Sequence, residues 1–330
     1  MPTVFVTDKE KSLRRKGERL IVDKYDNKVA DIPLLKVNQV VIFANTTLTT
    51  PLINSFLEND IPVTFLSYRG NFRGRLMPEF SKNSILRKAQ YKASEDRARR
   101  LNIARKFVTG KIKNQRRILL RGTRDNRSEN SQKVISEIKK LKNKSKQAEN
   151  LDELRGYEGL SARKYFSIYG SLLRDEFKFE KRSKRPPGDE VNALLSFGYT
   201  MMYSEVFNMV NAAGYDPYIG YLHHDKYGKP GLVLDLLEEF RAIVDNLVKR
   251  LLNRQVIKKN FFQEKYGGYE LTEEGLKLFL KKFEQKMISE FKHPIYDRKV
   301  DMRETIDLQA RMLAKMLTGE IEEYIAFEVR

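Results

Sequence analysis

The chain has 330 residues, of which 41% are hydrophobic, so it is long enough for a packed core and for two domains. It carries 63 Lys and Arg against 44 Asp and Glu, and its formal net charge of +19 points to a polyanionic partner such as nucleic acid. The lack of cysteine excludes disulfides and thiolate zinc sites, and three histidines are too few for a closed structural zinc site.

The first ninety residues are predicted to form a β-rich domain. Their apolar side chains come in short runs rich in β-branched residues, which is typical of strands, at residues 4–6, 20–22, 40–43 and 61–65. Turns are predicted at Lys16-Gly17, Asp26-Asn27 and Asn59-Asp60. Residues 69–75 include three arginines and predict a hairpin, and residues 49–58 are predicted to form one short helix.

From about Lys82 onward the apolar residues repeat every three or four positions, which predicts helices. One long basic helix has its apolar face at Leu101, Ala104, Val108, Ile112 and Leu119. Residues 121–147 are polar with a thin apolar stripe, which predicts either a weakly anchored helix or a mobile connection. Helices are expected again at residues 192–210 and 232–252. Between them, the paired prolines of KRSKRPPGDE, residues 181–190, force an extended basic loop.

These patterns predict an α+β protein. A small β-rich N-terminal domain is expected over residues 1–90, and a larger all-α C-terminal domain over residues 91–330. The excess of basic over acidic residues is +6 in residues 1–90, +13 in residues 91–150 and 0 in the remainder. We therefore expect the phosphates of a nucleic acid to be bound by the basic stretch from Arg97 to Arg127 and by the KRSKR loop. The alternative is that these charges form an ordinary solvated face.

Two of the three histidines and a pair of acids lie in GYLHHDKYGKPGLVLDLLEEFR, residues 220–241. Asp235 and Glu238 are three positions apart on a predicted helix, hence about 60° apart and opposite its apolar stripe. Imidazole and carboxylate are side chains that hold divalent cations, which polarise phosphodiesters. The spacing alone equally fits a solvated face whose acids are favoured by the helix dipole.

His223 and His224 precede this helix in a loop rich in glycine and proline. Such a loop can fold back and bring an imidazole near the first helical turn. Because adjacent side chains diverge, we expect one of the two histidines at most to face the carboxylates. Asp225 and Lys226 follow closely and could orient that histidine or contact a phosphate.

Glu158 is the third candidate. On a helix it shares a face with Ala162, Tyr165 and Tyr169, at spacings of four, seven and eleven, and that face is otherwise inward-looking. A buried carboxylate is costly unless it is paired or binds a metal. The alternative is a carboxylate at a helix start that backbone amides hold.

Three segments occur in a fixed order in the predicted helical half. They are RGYEG with ARKYF within residues 155–166, RPPGDEVNALLSFGY at residues 185–199, and GYLH with LDLLEEFR within residues 220–241. Together they resemble one family, the CRISPR-associated endonuclease and integrase of spacer acquisition, or Cas-one family. A β-rich domain of the size that this family shows precedes them.

The resemblance implies that Glu158, His223 and Glu238 are the ligands of one Mg²⁺ or Mn²⁺ ion, with Asp235 as a further catalytic residue nearby. The Gly-Tyr-Leu-His frame favours His223 over His224. The implied function is a metal-dependent DNA endonuclease and integrase of CRISPR adaptation, which inserts spacer fragments into the repeat array by attack of a 3′-hydroxyl on a phosphodiester. The implied partners are double-stranded DNA, a second copy of the chain, with the N-terminal domain in dimerisation, and a smaller CRISPR-associated protein.

Two other functions fit the same residues. The chain could be a non-catalytic DNA-binding scaffold in which they form a structural polar cluster, and no reaction would then depend on added Mn²⁺ or Mg²⁺. It could also be a recombinase that uses one of the 16 tyrosines as a covalent nucleophile, which would leave a trappable protein–DNA adduct.

No segment has the pattern of a membrane anchor or an export signal. The apolar runs are shorter than the ~18 residues that span a bilayer. The first ten residues lack the apolar stretch of a secretory signal. We therefore expect a cytoplasmic protein.

Overall fold

The structure, a computed structural model, describes residues 1–25, 27–79, 81–124, 128–184, 186–223 and 227–329. The chain forms two compact units, Met1–Phe80 with Leu271–Ser289 and Ser81–Glu270 with Glu290–Arg330. Several residues singled out above lie outside the described ranges, namely Asp26, Arg127, Arg185, His224, Asp225 and Lys226.

Two four-stranded sheets make up most of the first unit. Its strands are β1 Thr3–Val6, β2 Lys11–Lys16, β3 Arg19–Lys24, β4 Asn27–Pro33, β5 Gln39–Ile42, β6 Thr46–Leu48, β7 Val63–Leu66 and β8 Phe72–Leu76. One sheet has the order β1-β5-β7-β8 and is parallel except for the antiparallel pair β7 and β8. The other has the order β4-β3-β2-β6, antiparallel except for β6.

The core of the first unit comes largely from the apolar runs that predict its strands. Both sheets and the helix α1 (Thr50–Glu58) contribute to one buried cluster of Val6, Leu13, Leu20, Val22, Leu34, Val37, Val40, Ile42, Leu52, Phe56, Ile61 and Val63. The helix predicted at residues 49–58 is confirmed. Pro51 lies in its first turn, where the missing N–H breaks no helical hydrogen bond.

β2, β4 and β6 have no counterpart in the sequence prediction. The segment that forms β2 is KSLRRK, and most of β4 is exposed or half-buried, so neither contains an apolar run. Both pair with β3, whose side chains are largely buried. They form because pairing with β3 satisfies their backbone hydrogen bonds, which is a non-local effect.

Helices dominate the second unit. They are α2 Ser84–Glu95, α3 Arg97–Gly122, α4 Glu129–Gln147, α5 Leu151–Tyr169, α6 Glu190–Ala213, α7 Gly231–Asn253 and α9 Met302–Thr318. Two short strand pairs follow α7, β9 Phe262–Lys265 with β10 Gly268–Leu271 and β11 Phe291–Lys292 with β12 Lys299–Val300. The predicted order of a β-rich part followed by a helical part is confirmed, and the strands β9 to β12 make the second part mainly helical where the sequence predicts it to be all-α. Within the described residues, no helix combines the length and apolarity needed to cross a membrane.

A helix from far along the sequence completes the first unit. In α8 (Glu273–Met287), Glu284 accepts a hydrogen bond from Thr3 N at 3.1 Å, and Lys277 Nζ lies 2.5 Å from a carboxylate oxygen of Asp8. The sequence predicts a domain boundary at residue 90, a few residues after the apolar spacing changes near Lys82. The division in the structure falls at residue 80 and gives residues 271–289 to the first unit. Helical spacing identifies α8 as a helix but does not reveal the unit on which it packs.

α3 lies at the centre of the second unit, packed by α2, α4, α5 and α7. Of its predicted apolar face, Ala104, Val108, Ile112 and Leu119 are buried. α4 is one continuous helix packed on α3 and α5, so residues 129–147 form a helix and not a connection. α3 also buries the side chain of Lys111, which the sequence prediction treated as part of a basic face.

Candidate metal centre

The loop that carries His223 is folded back onto the start of α7. A Cβ on Gly220 would lie 2.5 Å from the carbonyl carbon of Gly231, and a Cβ on Gly231 would lie 2.3 Å from the carbonyl oxygen of His223. Leu232 N donates a hydrogen bond to the Pro217 carbonyl at 3.1 Å. Because only glycine permits such close backbone contact, these two glycines bring the histidine to the first turn of α7.

Asp235 is fully buried and holds the end of this loop. Its Oδ2 accepts hydrogen bonds from Tyr221 N at 2.6 Å and Leu222 N at 3.0 Å. Its Oδ1 accepts from His223 N at 2.9 Å and contacts His223 Nδ1 at 2.7 Å. Both oxygens are therefore engaged, and in this geometry Asp235 positions His223. The alternative that Asp235 lies on a solvated face is wrong.

His223 has a defined orientation because of this contact. A carboxylate can only accept, so Nδ1 donates to Asp235 and Nε2 is the ring nitrogen that remains for a metal ion. This carboxylate–histidine arrangement is the one that commonly orients an imidazole for a metal ion. His224 lies outside the described residues, so the preference for His223 stays a prediction from the sequence frame.

The Lys111 ammonium lies between Glu158 and Glu238. It contacts Oε1 of Glu158, from α5, and Oε2 of Glu238, from α7. The side chains of Lys111 and Glu238 are 7% and 3% exposed, and that of Glu158 is 25% exposed. Burial alone would lower the pKa of Lys111, but the carboxylates of Glu238 and Glu158 raise it above its usual value. Two carboxylates that are eighty residues apart in sequence therefore converge on one cationic position.

Two alternatives for the carboxylates are excluded by these positions. Glu238 is buried, so it does not belong to a solvated face. α5 begins at Leu151 with Asn150 as its cap, and Asn150 Oδ1 accepts from Glu153 N at 2.9 Å. Glu158 lies in the third turn of this helix, so it is not a helix-start carboxylate.

Arg241 provides the second positive charge at this cluster. Its Nε lies 2.9 Å from Glu238 Oε1, and its guanidinium lies over the Tyr199 ring at 5.1 Å from the centroid. Burial would raise the pKa of Glu238, but Arg241 and Lys111 hold it well below its usual range. Glu238 is therefore ionised at neutral pH despite its burial.

The types of donor atom fit a hard divalent cation, but in this structure the two carboxylates bind the Lys111 ammonium. Carboxylates and an imidazole suit Mg²⁺ or Mn²⁺, and the meeting point of Glu158 and Glu238 already attracts positive charge. Among the residues that the structure describes, no three His, Asp or Glu side chains stand close enough to hold a metal ion. Lys111 takes the position between the two carboxylates, so a metal ion would require Lys111 to move.

A cavity of about 510 Å³ adjoins these residues. Glu158, His223 and Glu238 all contribute to its wall, whereas Asp235 does not. Its other walls are largely basic or aromatic, with Lys111, Arg163, Phe166, Lys181, Arg182, Lys184, Tyr199 and Arg241 among them. The predicted basic loop therefore borders the same cavity as the three predicted ligands, although Arg185 lies outside the described residues.

Sequence reasoning missed Lys111 and Arg241. Lys111 is seven positions after Ala104 and three after Val108, so its spacing already placed a charged residue on the apolar face of α3. Arg241 is three positions after Glu238, which is the spacing of side-chain neighbours on a helix. Because a buried cation requires a negatively charged partner, Lys111 on the apolar face of α3 could have predicted a buried acid elsewhere in the chain.

Comparison with known proteins gives consistent matches along nearly the whole chain. The family model described as CRISPR associated protein Cas1 matches residues 4–285. A CRISPR-associated endonuclease Cas1 from Moorella thermoacetica is 37% identical over 308 residues, covering 91% of this chain and 90% of that protein. A CRISPR-associated exonuclease Cas4/endonuclease Cas1 fusion from Geobacter sulfurreducens is 35% identical, covering 99% of this chain, which spans 60% of the fusion. A solved CAS1 structure from Thermotoga maritima superposes with a TM-score of 0.84 at 28% identity, covering 100% of both chains.

Proposed function

The chain belongs to the family of CRISPR associated protein Cas1, and from this premise we propose that it is a metal-dependent DNA endonuclease and integrase of CRISPR adaptation. In this proposal Glu158, His223 and Glu238 are the ligands of one Mg²⁺ or Mn²⁺ ion. One observation carries it: two carboxylates from different helices meet at a single cationic position beside the cavity that His223 also lines.

The residues around the cavity suit phosphodiester chemistry. A Mg²⁺ or Mn²⁺ ion held there would lower the pKa of an attacking water or terminal 3′-hydroxyl and neutralise charge developing on the phosphate. Arg182, Lys184 and Arg241 line the same cavity and would bind non-bridging phosphate oxygens. In hydrolysis the water oxygen bonds to phosphorus and the P–O3′ bond breaks. In strand transfer a DNA 3′-hydroxyl attacks instead, and O3′ leaves with a proton in both cases.

A cleavage and strand-transfer assay with the purified chain and duplex DNA tests this function. A chelator should abolish both reactions, and added Mn²⁺ or Mg²⁺ should restore them, because the carboxylates then regain the ion that activates the attacking oxygen. DNA binding, measured in the same chelator, should persist, since basic side chains bind phosphates without the ion. Cleavage and strand transfer at an unchanged rate in chelator would contradict the proposal.

One observation favours the scaffold alternative. Lys111 and Arg241 neutralise Glu158 and Glu238, so the cluster is charge-balanced as it stands and could be purely structural. A structural cluster would leave every reaction independent of added metal. The chelator experiment therefore distinguishes the two functions.

A groove lined by α3, α4 and the segment 323–328 supports DNA binding. Its cavity of about 490 Å³ is lined by Arg105, Lys106 and Lys113 of α3, by Lys142 and Lys146 of α4, and by Glu323 and Glu328, which pair with Lys106 and Lys113. Burial lowers the pKa of Lys142, and so do neighbouring cations, among which Lys146 and Lys113 have the largest effects. A bound phosphate backbone is expected to relieve the repulsion between these cations, which favours binding. In this proposal α3 and α4 share the phosphate contacts that the sequence predicted for residues 97–127.

The double variant Lys142→Ala/Lys146→Ala should weaken duplex binding at all sequences alike. If each lysine contacts one phosphate, the slope of log K against log salt should become shallower by about 2. Fluorescence anisotropy over a salt series measures this slope. The matched control is Lys281→Ala/Lys282→Ala on α8, which removes the same charge elsewhere. An equal change of slope in both double variants would mean that α4 makes no particular contact.

The partners beyond DNA are proposed from family membership. We expect a second copy of the chain and a smaller CRISPR-associated protein to join the complex. We expect the first unit to take part in dimerisation. Analytical ultracentrifugation of the purified chain gives its oligomeric state.

A further inference from the structure

Lys111 occupies the place between the two proposed metal ligands. Its ammonium contacts both Glu158 and Glu238, and its side chain is 7% exposed. It reaches this place from the buried side of α3, between Gly110 and Ile112, so the backbone around it is fixed by packing. Lys111 is therefore a cation supplied by the chain itself at the point where the carboxylates converge.

The charges of the cluster balance without any metal ion. Glu158 and Glu238 contribute two negative charges, and Lys111 and Arg241 contribute two positive ones. A divalent cation added to this cluster would leave two uncompensated positive charges in a largely buried place, which is unfavourable. A DNA phosphate in the cavity would offset part of this excess, because each phosphodiester adds one negative charge beside Lys111 and Arg241, which both line that cavity.

We propose that Lys111 is a tethered counter-ion that holds Glu158 and Glu238 in the free protein and moves onto the DNA phosphate when the metal ion and DNA bind together. This inference rests on the proposed function. A lysine has four rotatable side-chain bonds and a point charge, so it can exchange one anion for another without movement of α3. The cavity of about 510 Å³ gives its ammonium a place to go.

Coupled binding of metal and DNA follows from this exchange. Without DNA the ion must compete with Lys111 for the two carboxylates, and with DNA that competition is relieved. By linkage, DNA raises the affinity for the ion by the same factor by which the ion raises the affinity for DNA. The free protein would thus bind the ion weakly and be fully loaded only on its substrate.

Calorimetric titration of the complete chain with Mn²⁺ tests the role of Lys111. The variant Lys111→Met removes the charge and shortens the unbranched side chain by one heavy atom. We expect it to bind Mn²⁺ about tenfold or more tightly than the original chain in the absence of DNA. With an uncleavable phosphorothioate duplex present, the original chain should gain affinity for Mn²⁺, and Lys111→Met should gain much less.

The controls separate this role from a structural one. Lys164→Met removes a half-buried lysine on another part of α5, whose ammonium pairs with Glu137 of α4 at 2.6 Å. This variant should leave the Mn²⁺ affinity unchanged. Lys111→Arg keeps a positive charge and should keep weak Mn²⁺ binding without DNA. If Lys111→Met does not fold, Lys111→Gln takes its place, and the effect of DNA on the original chain still tests the coupling.

Two outcomes would overturn the inference in distinguishable ways. If Lys111→Met binds Mn²⁺ as weakly as the original chain or more weakly, while cleavage still depends on metal, the proposed role of Lys111 is contradicted and the proposed function is not. No Mn²⁺ binding by any of these chains, with or without DNA, together with cleavage in chelator, contradicts the proposed function and the inference with it.

Discussion

The variant Glu238→Ala is expected to lose DNA cleavage and strand transfer by about a thousandfold or more while it still binds DNA. Its carboxylate is one of the two that converge on the cation position, and loss of a metal ligand removes several kcal/mol of transition-state stabilisation. Glu158→Ala and His223→Ala should have the same effect. Single-turnover assays with Mn²⁺, beside anisotropy measurements of DNA binding, give the two quantities.

A neighbouring glutamate offers the matched control. Glu239 is as buried as Glu238, but its carboxylate accepts hydrogen bonds from Tyr324 Oη and Phe327 N, both at 2.6 Å, and from Gln309 Nε2 at 3.0 Å. Burial raises the pKa of Glu239 to about 8, so glutamine is a close neutral mimic at pH 7. Glu239→Gln should keep full cleavage and strand-transfer activity.

Full activity in His223→Ala would contradict the assignment of the site.

Replacement of Asp235 should show that a residue without metal contact controls the site. Asp235→Ala leaves the buried N–H groups of Tyr221 and Leu222 without their acceptor, together with the part-buried N–H group and imidazole of His223. Each unsatisfied group costs about 1–3 kcal/mol, so we expect unfolding free energy to fall by roughly 3 kcal/mol or more. Chemical denaturation of the purified variant measures that loss.

The milder variant Asp235→Asn separates positioning from stability. It keeps the size of the side chain but cannot accept from all four donors, so the His223 ring loses its fixed orientation. Metal affinity should then fall about 10- to 100-fold, in line with losses of such supporting carboxylates. A folded Asp235→Asn chain with the original Mn²⁺ affinity and cleavage rate would exclude a positioning role for Asp235.

Sequence predicts those helices and strands whose conformation is determined by their own residues. The short helix at residues 50–58 and the buried stripe of α7 both follow from local spacing. Strands β2 and β4 escape prediction because their pairing with β3, and not their own composition, makes them strands. The placement of α8 with the first unit likewise depends on residues such as Asp8 that are far away in sequence.

The candidate site divides in the same way. The folded-back loop could be predicted because Gly220 and Gly231 permit it. The burial of Asp235 and Glu238 could not, since their spacing describes one face of α7 and says nothing of the helices that cover it. α3 packs on α7 and brings Lys111 to Glu238, and Lys111 in turn contacts Glu158 of α5. Periodicity therefore predicts which face a residue occupies, while the partner of that face must come from the structure.

The proposed function requires that Glu158, His223 and Glu238 hold one divalent cation. A crystal of the chain with bound duplex DNA, soaked in Mn²⁺ and measured at the manganese absorption edge, tests it most directly. We predict one anomalous peak within about 2.3 Å of both carboxylates and of His223 Nε2, with the Lys111 ammonium turned away towards a phosphate. Lys111 still between the two carboxylates, with no anomalous peak beside them, would contradict the account.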